Sequence, residues 1–178
     1  MPHTSPHRIL LPLAAIVVLL VTASSAFAGD RVLRVRDACD PSSFNAVIGP
    51  GTCERSGGGK RVDFGDFFAS IADRGSHSKW YFKSGGSSIR RGDDVVVRLD
   101  QGGEFHSFTE VAQFGPGCVP EINQAAGLSG PPAADCALMM NAFVAPGAEE
   151  TTVSGLQDGV HRFECLIHPW MQTTITVR

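Results

Sequence analysis

The chain has 178 residues, of which 19% are charged, with a formal net charge of −3 at pH 7. That mildly acidic balance argues against nucleic acid as a partner, and the length is that of one ordinary domain, long enough to bury a core. Five cysteines is an odd number, so at least one thiol is left over from disulfides or pairs with another chain.

Residues 1–28 read as a secretory leader. Arg8 supplies one firm positive charge, an apolar run follows from Ile9 to Ala23, and Ala26-Phe27-Ala28 is a small-x-small cleavage pattern before Gly29. The run is about 15 residues long, shorter than the roughly 20 a membrane span needs. An uncleaved N-terminal anchor is the other reading. The expectation is therefore an exported protein, periplasmic or extracellular, with residues 29–178 as a single domain.

Residues 31–37 predict a first strand with Leu33 and Val35 on one face. A loop rich in Gly, Pro and Ser is expected over 38–60. Phe64, Phe67, Phe68 and Ile71 then fall at i, i+3, i+4 and i+7, which predicts one amphipathic helix over about 63–73. Asp63 is placed to cap its start and Gly75 its end. This stripe reads as core packing, and the helix belongs to an N-terminal extension over 29–78. From residue 79 the period changes to two. Lys79–Lys83, Asp94–Leu99 and Glu104–Val111 read as strands, with turn signals at Ser84-Gly85-Gly86 and Arg91-Gly92-Asp93. Residues 112–149 form an insert with a helical turn near Glu121–Ala126. Strands resume at Thr151–Ser154, Val160–Cys165 and Thr173–Arg178. Many short strands with turn signals point to an all-β sandwich.

The cysteines fall into two local couples, Cys39/Cys53 and Cys118/Cys136, and the remaining Cys165. An exported chain meets an oxidising compartment, so disulfides are expected. Each couple closes a loop of about 15 residues, worth about 3 kcal/mol. Four cysteines allow three connectivities; local pairing is the expectation here, and it leaves Cys165 free.

Cys165 opens the run Cys165-Leu166-Ile167-His168-Pro169-Trp170-Met171. A thiolate, an imidazole and a thioether thus occur just after a strand. Only a turn lets them converge, since a continuing strand would spread them about 20 Å apart. Thiolate and thioether are soft ligands and imidazole suits copper; two histidines and a cysteine in a plane, with a weak axial methionine, make a blue-copper site. The second histidine is found by elimination. His3 and His7 lie in the leader and His77 in a polar loop. His161 sits four residues before Cys165 on the same strand and reads as a packed core residue. His106 remains, on a strand whose alternation puts it on one face with Phe108.

Over residues 79–111 and 150–178 the chain resembles the cupredoxin (blue copper) family, which includes plastocyanin, pseudoazurin and amicyanin. The short Cys165-x-x-His168-x-x-Met171 loop with Pro169 looks most like amicyanin. Ser88 to Val96 is similar to the strand-turn-strand before the family's first copper histidine, and Gly159 to Cys165 to the strand entering the copper cysteine. The resemblance implies a Greek-key β-sandwich, one type 1 copper ion, His106, Cys165 and His168 as equatorial ligands, and Met171 as the axial one. It also implies that His168 presents its edge to solvent, beside Pro169 and Trp170. Ser107 stands where the family often has asparagine, so different hydrogen bonding is expected around the thiolate, and His161 stands where tyrosine is common. Residues 38–75 and 112–149 have no assigned counterpart.

The function read from these residues is a one-electron carrier between redox proteins. It is expected to be monomeric, with no small-molecule substrate and no enzymatic activity, because the ligand set shows no vacant position. The alternative is a copper delivery or storage module, to which Met139 and Met140 could contribute. A multicopper oxidase would need several His-x-His pairs, and the sequence has none.

Overall fold

The computed structural model describes residues 29–54, 60–84, 88–147 and 150–178. The expected leader lies outside the described residues. Among the described residues ten strands and four helices are formed: β1 (Arg31–Arg36), α1 (Pro41–Val47), α2 (Phe64–Arg74), β2 (Tyr81–Ser84), β3 (Ser88–Ile89), β4 (Val95–Gln101), β5 (His106–Ser107), β6 (Thr109–Val111), α3 (Pro120–Ala125), α4 (Ala137–Asn141), β7 (Phe143–Val144), β8 (Thr151–Val153), β9 (Gly159–Glu164) and β10 (Gln172–Val177). One sheet has the order β2-β1-β4-β8 and the other β3-β10-β9-β6, while β5 and β7 pair by themselves. The β-sandwich expected from the sequence is the fold observed.

Between the sheets the core is aromatic. Phe108 stacks on Phe163 of β9 at 4.3 Å and meets Phe82 of β2 edge-on at 5.2 Å, so three rings tie one sheet to the other. Val95, Val97 and Leu99 of β4 are buried on the same side of their strand, as the period of two requires.

The expected strand over 104–111 is two strands. His106 and Ser107 pair with Val144 and Phe143, whereas Thr109–Val111 pairs with β9. The ladder changes partner at Phe108, whose N–H donates to Ala142 O at 2.8 Å. His106, Ser107, Phe108 and Thr109 are all buried in consequence, so simple alternation does not describe them.

The helix over 63–73 is present as α2, with both caps. Asp63 Oδ1 accepts from Gly65 N at 2.7 Å, and Gly75 takes a left-handed φ of 67° while its N–H donates to Ile71 O. Glycine has no Cβ to oppose that conformation. Phe67 and Ile71 are buried, but Phe68 stays 37% exposed.

The loop expected over 38–60 contains a second helix, α1. Asp40 caps it by accepting from Ser43 N at 3.0 Å, and Pro41 starts it, a position that tolerates the missing N–H. Its one buried residue, Phe44, meets Phe64, Phe67 and Trp80. The extension is stitched down by the Cys39–Cys53 disulfide and by a backbone bridge from Cys53 to Glu104. The second local disulfide, Cys118–Cys136, also forms, and Cys165 is the free cysteine. The insert holds α3, as expected, and also α4 and β7, which the sequence pattern did not show.

Candidate metal centre

The loop after β9 closes tightly. Met171 N–H donates to His168 O at 2.8 Å, and Cys165 N–H donates to Met171 O at 3.0 Å. The chain then enters β10, whose Gln172 pairs with Glu164. The hairpin thus returns Met171 beside Cys165 and holds His168 between them.

Cys165 Sγ lies 3.8 Å from His106 Nδ1 and 3.8 Å from His168 Nδ1, and the two nitrogens are 3.3 Å apart. All three residues are buried. The structure therefore brings together three of the four residues singled out in the sequence, each through a ligand atom. Met171 is fully buried at the end of the same loop. A first-row metal ion about 2.0–2.1 Å from each nitrogen and about 2.3 Å from sulfur sets such atoms about 3.5–3.8 Å apart in a trigonal plane. The two sulfur–nitrogen distances match this spacing, and the nitrogen–nitrogen distance of 3.3 Å is slightly shorter.

Both histidines are held from behind by carboxylates. Asp37 Oδ2 is 2.9 Å from His106 Nε2. Asp37 also accepts from Gly103 N and Glu104 N. This close approach requires glycine at 102, because a Cβ there would overlap Leu99 and the Asp37 carboxylate. Glu104 Oε2 is 3.2 Å from His168 Nε2 and accepts from Trp80 Nε1 at 2.7 Å. A carboxylate only accepts, so each Nε2 carries a proton, and Nδ1 is the ring nitrogen left to face Cys165 Sγ.

The electrostatics follow from this packing. Burial opposes the charged form of Cys165, yet hydrogen bonds and charge from His106 and His168 hold its thiol well below the usual range. Burial also works against charge on His168, but the Cys165 thiolate and Glu104 push it up to about 10. Two backbone N–H groups, from Ser107 and His168, approach Cys165 Sγ at 3.4 Å. Different hydrogen bonding was expected at Ser107, and its hydroxyl accepts from Leu166 N at 2.9 Å and from Thr109 Oγ1 at 3.1 Å. It thereby joins the His106 strand to the Cys165 loop. Next door, burial raises Glu164 to about 7, while its Oε2 accepts from Gly115 N and from Gln172 Nε2.

Two expectations need correction. His161 is not a core residue: its ring lies just beyond the stretch of β9 that pairs with β6, between Glu110 Oε1 and Gln157 O, 2.7 Å from each. Nor does His168 present a solvent-facing edge. It is 4% exposed, Pro169 is buried, and Trp170 is only half-buried because it packs at 6.0 Å on Phe67. Phe67 also meets the His168 ring edge-on at 6.2 Å. The physical cause is α2, which lies over the loop. His77 packs against Trp80 and Phe67, away from the triangle. Sequence reasoning missed Asp37 and Glu104, although Glu104 stands two residues before His106.

No protein-family model matches the chain, and no curated protein matches it in sequence. Solved structures similar to part of it include a purple cupredoxin from Nitrosopumilus maritimus, at 14% identity and a TM-score of 0.36 over 57% of this chain and 86% of that one. The oxidised plastocyanin of Dryopteris crassirhizoma is similar at 19% identity and a TM-score of 0.34, over 56% of this chain and 91% of that one. A reduced amicyanin variant is similar at 16% identity and a TM-score of 0.31, over 51% and 67% respectively.

Proposed function

We propose that the protein is an exported one-electron carrier that holds a single copper ion through His106, Cys165 and His168, with Met171 as a weaker axial ligand. The observation that carries this reading is the buried triangle of two imidazole Nδ1 atoms and one thiolate. That donor set, with a nearby thioether, is the soft and borderline mixture suited to copper. Bound copper supplies a centre that changes oxidation state by one electron. The residues supply the rest. Asp37 and Glu104 fix both ring orientations, the two N–H groups on Cys165 Sγ stabilise the thiolate, and the closed Cys165–Met171 loop resists rearrangement. Helix α2 and the ring of Phe67 leave His168 only 4% exposed. A site so enclosed supports an electron carrier, monomeric and working between redox proteins, over an enzyme that must admit a substrate to its metal. The leader pattern and the two disulfides support export.

The test is to add Cu(II) to the metal-free protein and record the visible spectrum. An intense thiolate-to-copper band that is absent in Cys165→Ser is the expected result; a colourless complex refutes the site. Repeated reduction and oxidation without loss of metal is expected of a carrier, whereas transfer of Cu(I) to a competing chelator after each reduction would favour a delivery module.

A further inference from the structure

An open cleft with a cavity volume of about 660 Å³ lies against Glu104 and His168. Its walls come from segments far apart in the chain: the C-terminal end of α1, one face of α2, the start of α3 and the Cys165–Met171 loop. Phe64, Phe68, Phe105 and Ile122 line it, and Val47 and Ile48 stand at the α1 side. Val47 is 63% exposed, Ile48 53% and Phe68 37%, so among the described residues this apolar surface has no covering partner. Contiguous apolar exposure of this kind marks an interaction site. The volume falls within the roughly 300–1,000 Å³ of small-molecule sites.

The polar groups specify the occupant. Among the described residues the chargeable side chains in the lining are Glu104, Glu121 and His168. Anions are therefore disfavoured. Glu104 is only 3% exposed, and its Oε2 already serves Trp80 and His168. Among the described residues nothing donates to its other oxygen, Oε1. A carboxylate has about four acceptor positions, so Oε1, on the cleft lining, has room for a further donor. Mostly apolar walls make a charged occupant costly to desolvate, so the group that meets Oε1 is taken to be a neutral hydrogen-bond donor. Flat rings match walls built from four phenylalanines and three isoleucines.

We propose that this cleft binds a small neutral phenol of one or two rings, with the ring among Phe64, Phe68 and Ile122 and the hydroxyl donating to Glu104. The inference stands apart from the copper reading, because every group it uses is present without metal. It also gives residues 38–75 a role: they wall in an edge of His168 that would otherwise face solvent.

The metal-free and copper-loaded proteins are titrated separately with 4-fluorophenol and with 4-fluoroanisole, which has no donor, and followed by fluorine NMR. Saturable binding of 4-fluorophenol is expected in both, with 4-fluoroanisole at least tenfold weaker. Phe68→Glu, at a half-open position outside the ligand set, is expected to weaken 4-fluorophenol at least tenfold while near-UV circular dichroism shows the fold intact. Should that variant not fold, Ile48→Glu on the opposite wall serves the same purpose. Absence of saturable binding, equal affinity for the two probes, or indifference to both folded variants would each overturn the proposal. A colourless copper complex that still binds 4-fluorophenol would remove the proposed copper function and leave this site standing.

Discussion

Asp37 Oδ2 sits 2.9 Å from His106 Nε2, and neither side chain has any exposed surface. The contact fixes which nitrogen of His106 carries the proton and where the other one points. A buried imidazole without that acceptor would lose both its orientation and a hydrogen bond. Asp37→Ala is therefore expected to weaken copper binding by about 10–100-fold, the usual cost of removing such a partner. Competition with a chelator of known affinity measures it, and an unchanged affinity would mean that packing alone orients His106.

Glu104 performs the same service for His168 but differs in reach, because it also lines the apolar cleft. Its negative charge favours the more highly charged state of any ion held by His168. Glu104→Gln keeps the shape and an acceptor oxygen while removing that charge, so the reduction potential is expected to rise. A tenfold change in the ratio of Cu(I) to Cu(II) affinity corresponds to about 59 mV. Voltammetry of the two proteins checks this. Glu121→Gln removes a charge from the same cleft without touching a histidine, and it should move the potential less. Equal shifts would indicate a general field effect with no special part for Glu104.

The Cys39–Cys53 disulfide spans 14 positions and joins the segment after Asp37 to the backbone bridge at Glu104. Closing a loop of that length restricts the unfolded chain by about 3 kcal/mol. Replacing both cysteines with alanine is expected to cost about that much in urea denaturation of the metal-free protein. Peptide mapping without reduction should recover residue 39 joined to residue 53, and residue 118 joined to residue 136. A variant as stable as the parent would show that Asn45, which bonds both backbone groups of Cys53, already holds the segment without the bridge.

What could be read in the sequence was what local spacing controls. The α2 stripe and its caps, the two cysteine couples, and the approach of His168 and Met171 to Cys165 all depend on neighbours a few residues away. His106 was reached by elimination among six histidines, and it stands in the triangle. What escaped notice depends on distant approach. Asp37 and Glu104 look like ordinary carboxylates until Gly102 lets the chain pass over one and Trp80 closes on the other. Helix α1 buries a single residue, Phe44, so it shows no stripe, although Asp40-Pro41 is a fair start signal. His168 was expected at the surface because nothing local announces that α2 folds over its loop. His161 reads as core because it shares a strand face with Cys165, but at that end of β9 the pairing with β6 has stopped and the ring meets Glu110 and Gln157 instead.

These two acceptors make His161 a charge-bearing group with a predictable response to pH. Its Nδ1 faces Glu110 Oε1 and its Nε2 faces Gln157 O, each at 2.7 Å. Both partners can only accept, so both ring nitrogens must donate, and the ring that satisfies both is the imidazolium. The carbonyl of Gln157 first, and the Glu110 carboxylate second, raise His161 above its ordinary value of 6.5. A histidine raised on folding contributes stability that is fully present below its unfolded value and disappears as pH rises through the folded one. The pair is half-exposed on the Glu110 side, so its worth is at most about 1 kcal/mol. His161→Gln keeps one donor but no charge. The parent is expected to be the more stable protein at pH 6, with the gap shrinking by pH 9, when melting is followed on metal-free samples in which the triangle is the same in both. Because only the difference between parent and variant is read, titration of Cys165 and its neighbours cancels. A gap that stays constant from pH 6 to pH 9 would mean that His161 acts through packing against β10, where Ile175 is its strand partner, and a gap that widens would reverse the sign assigned to the imidazolium.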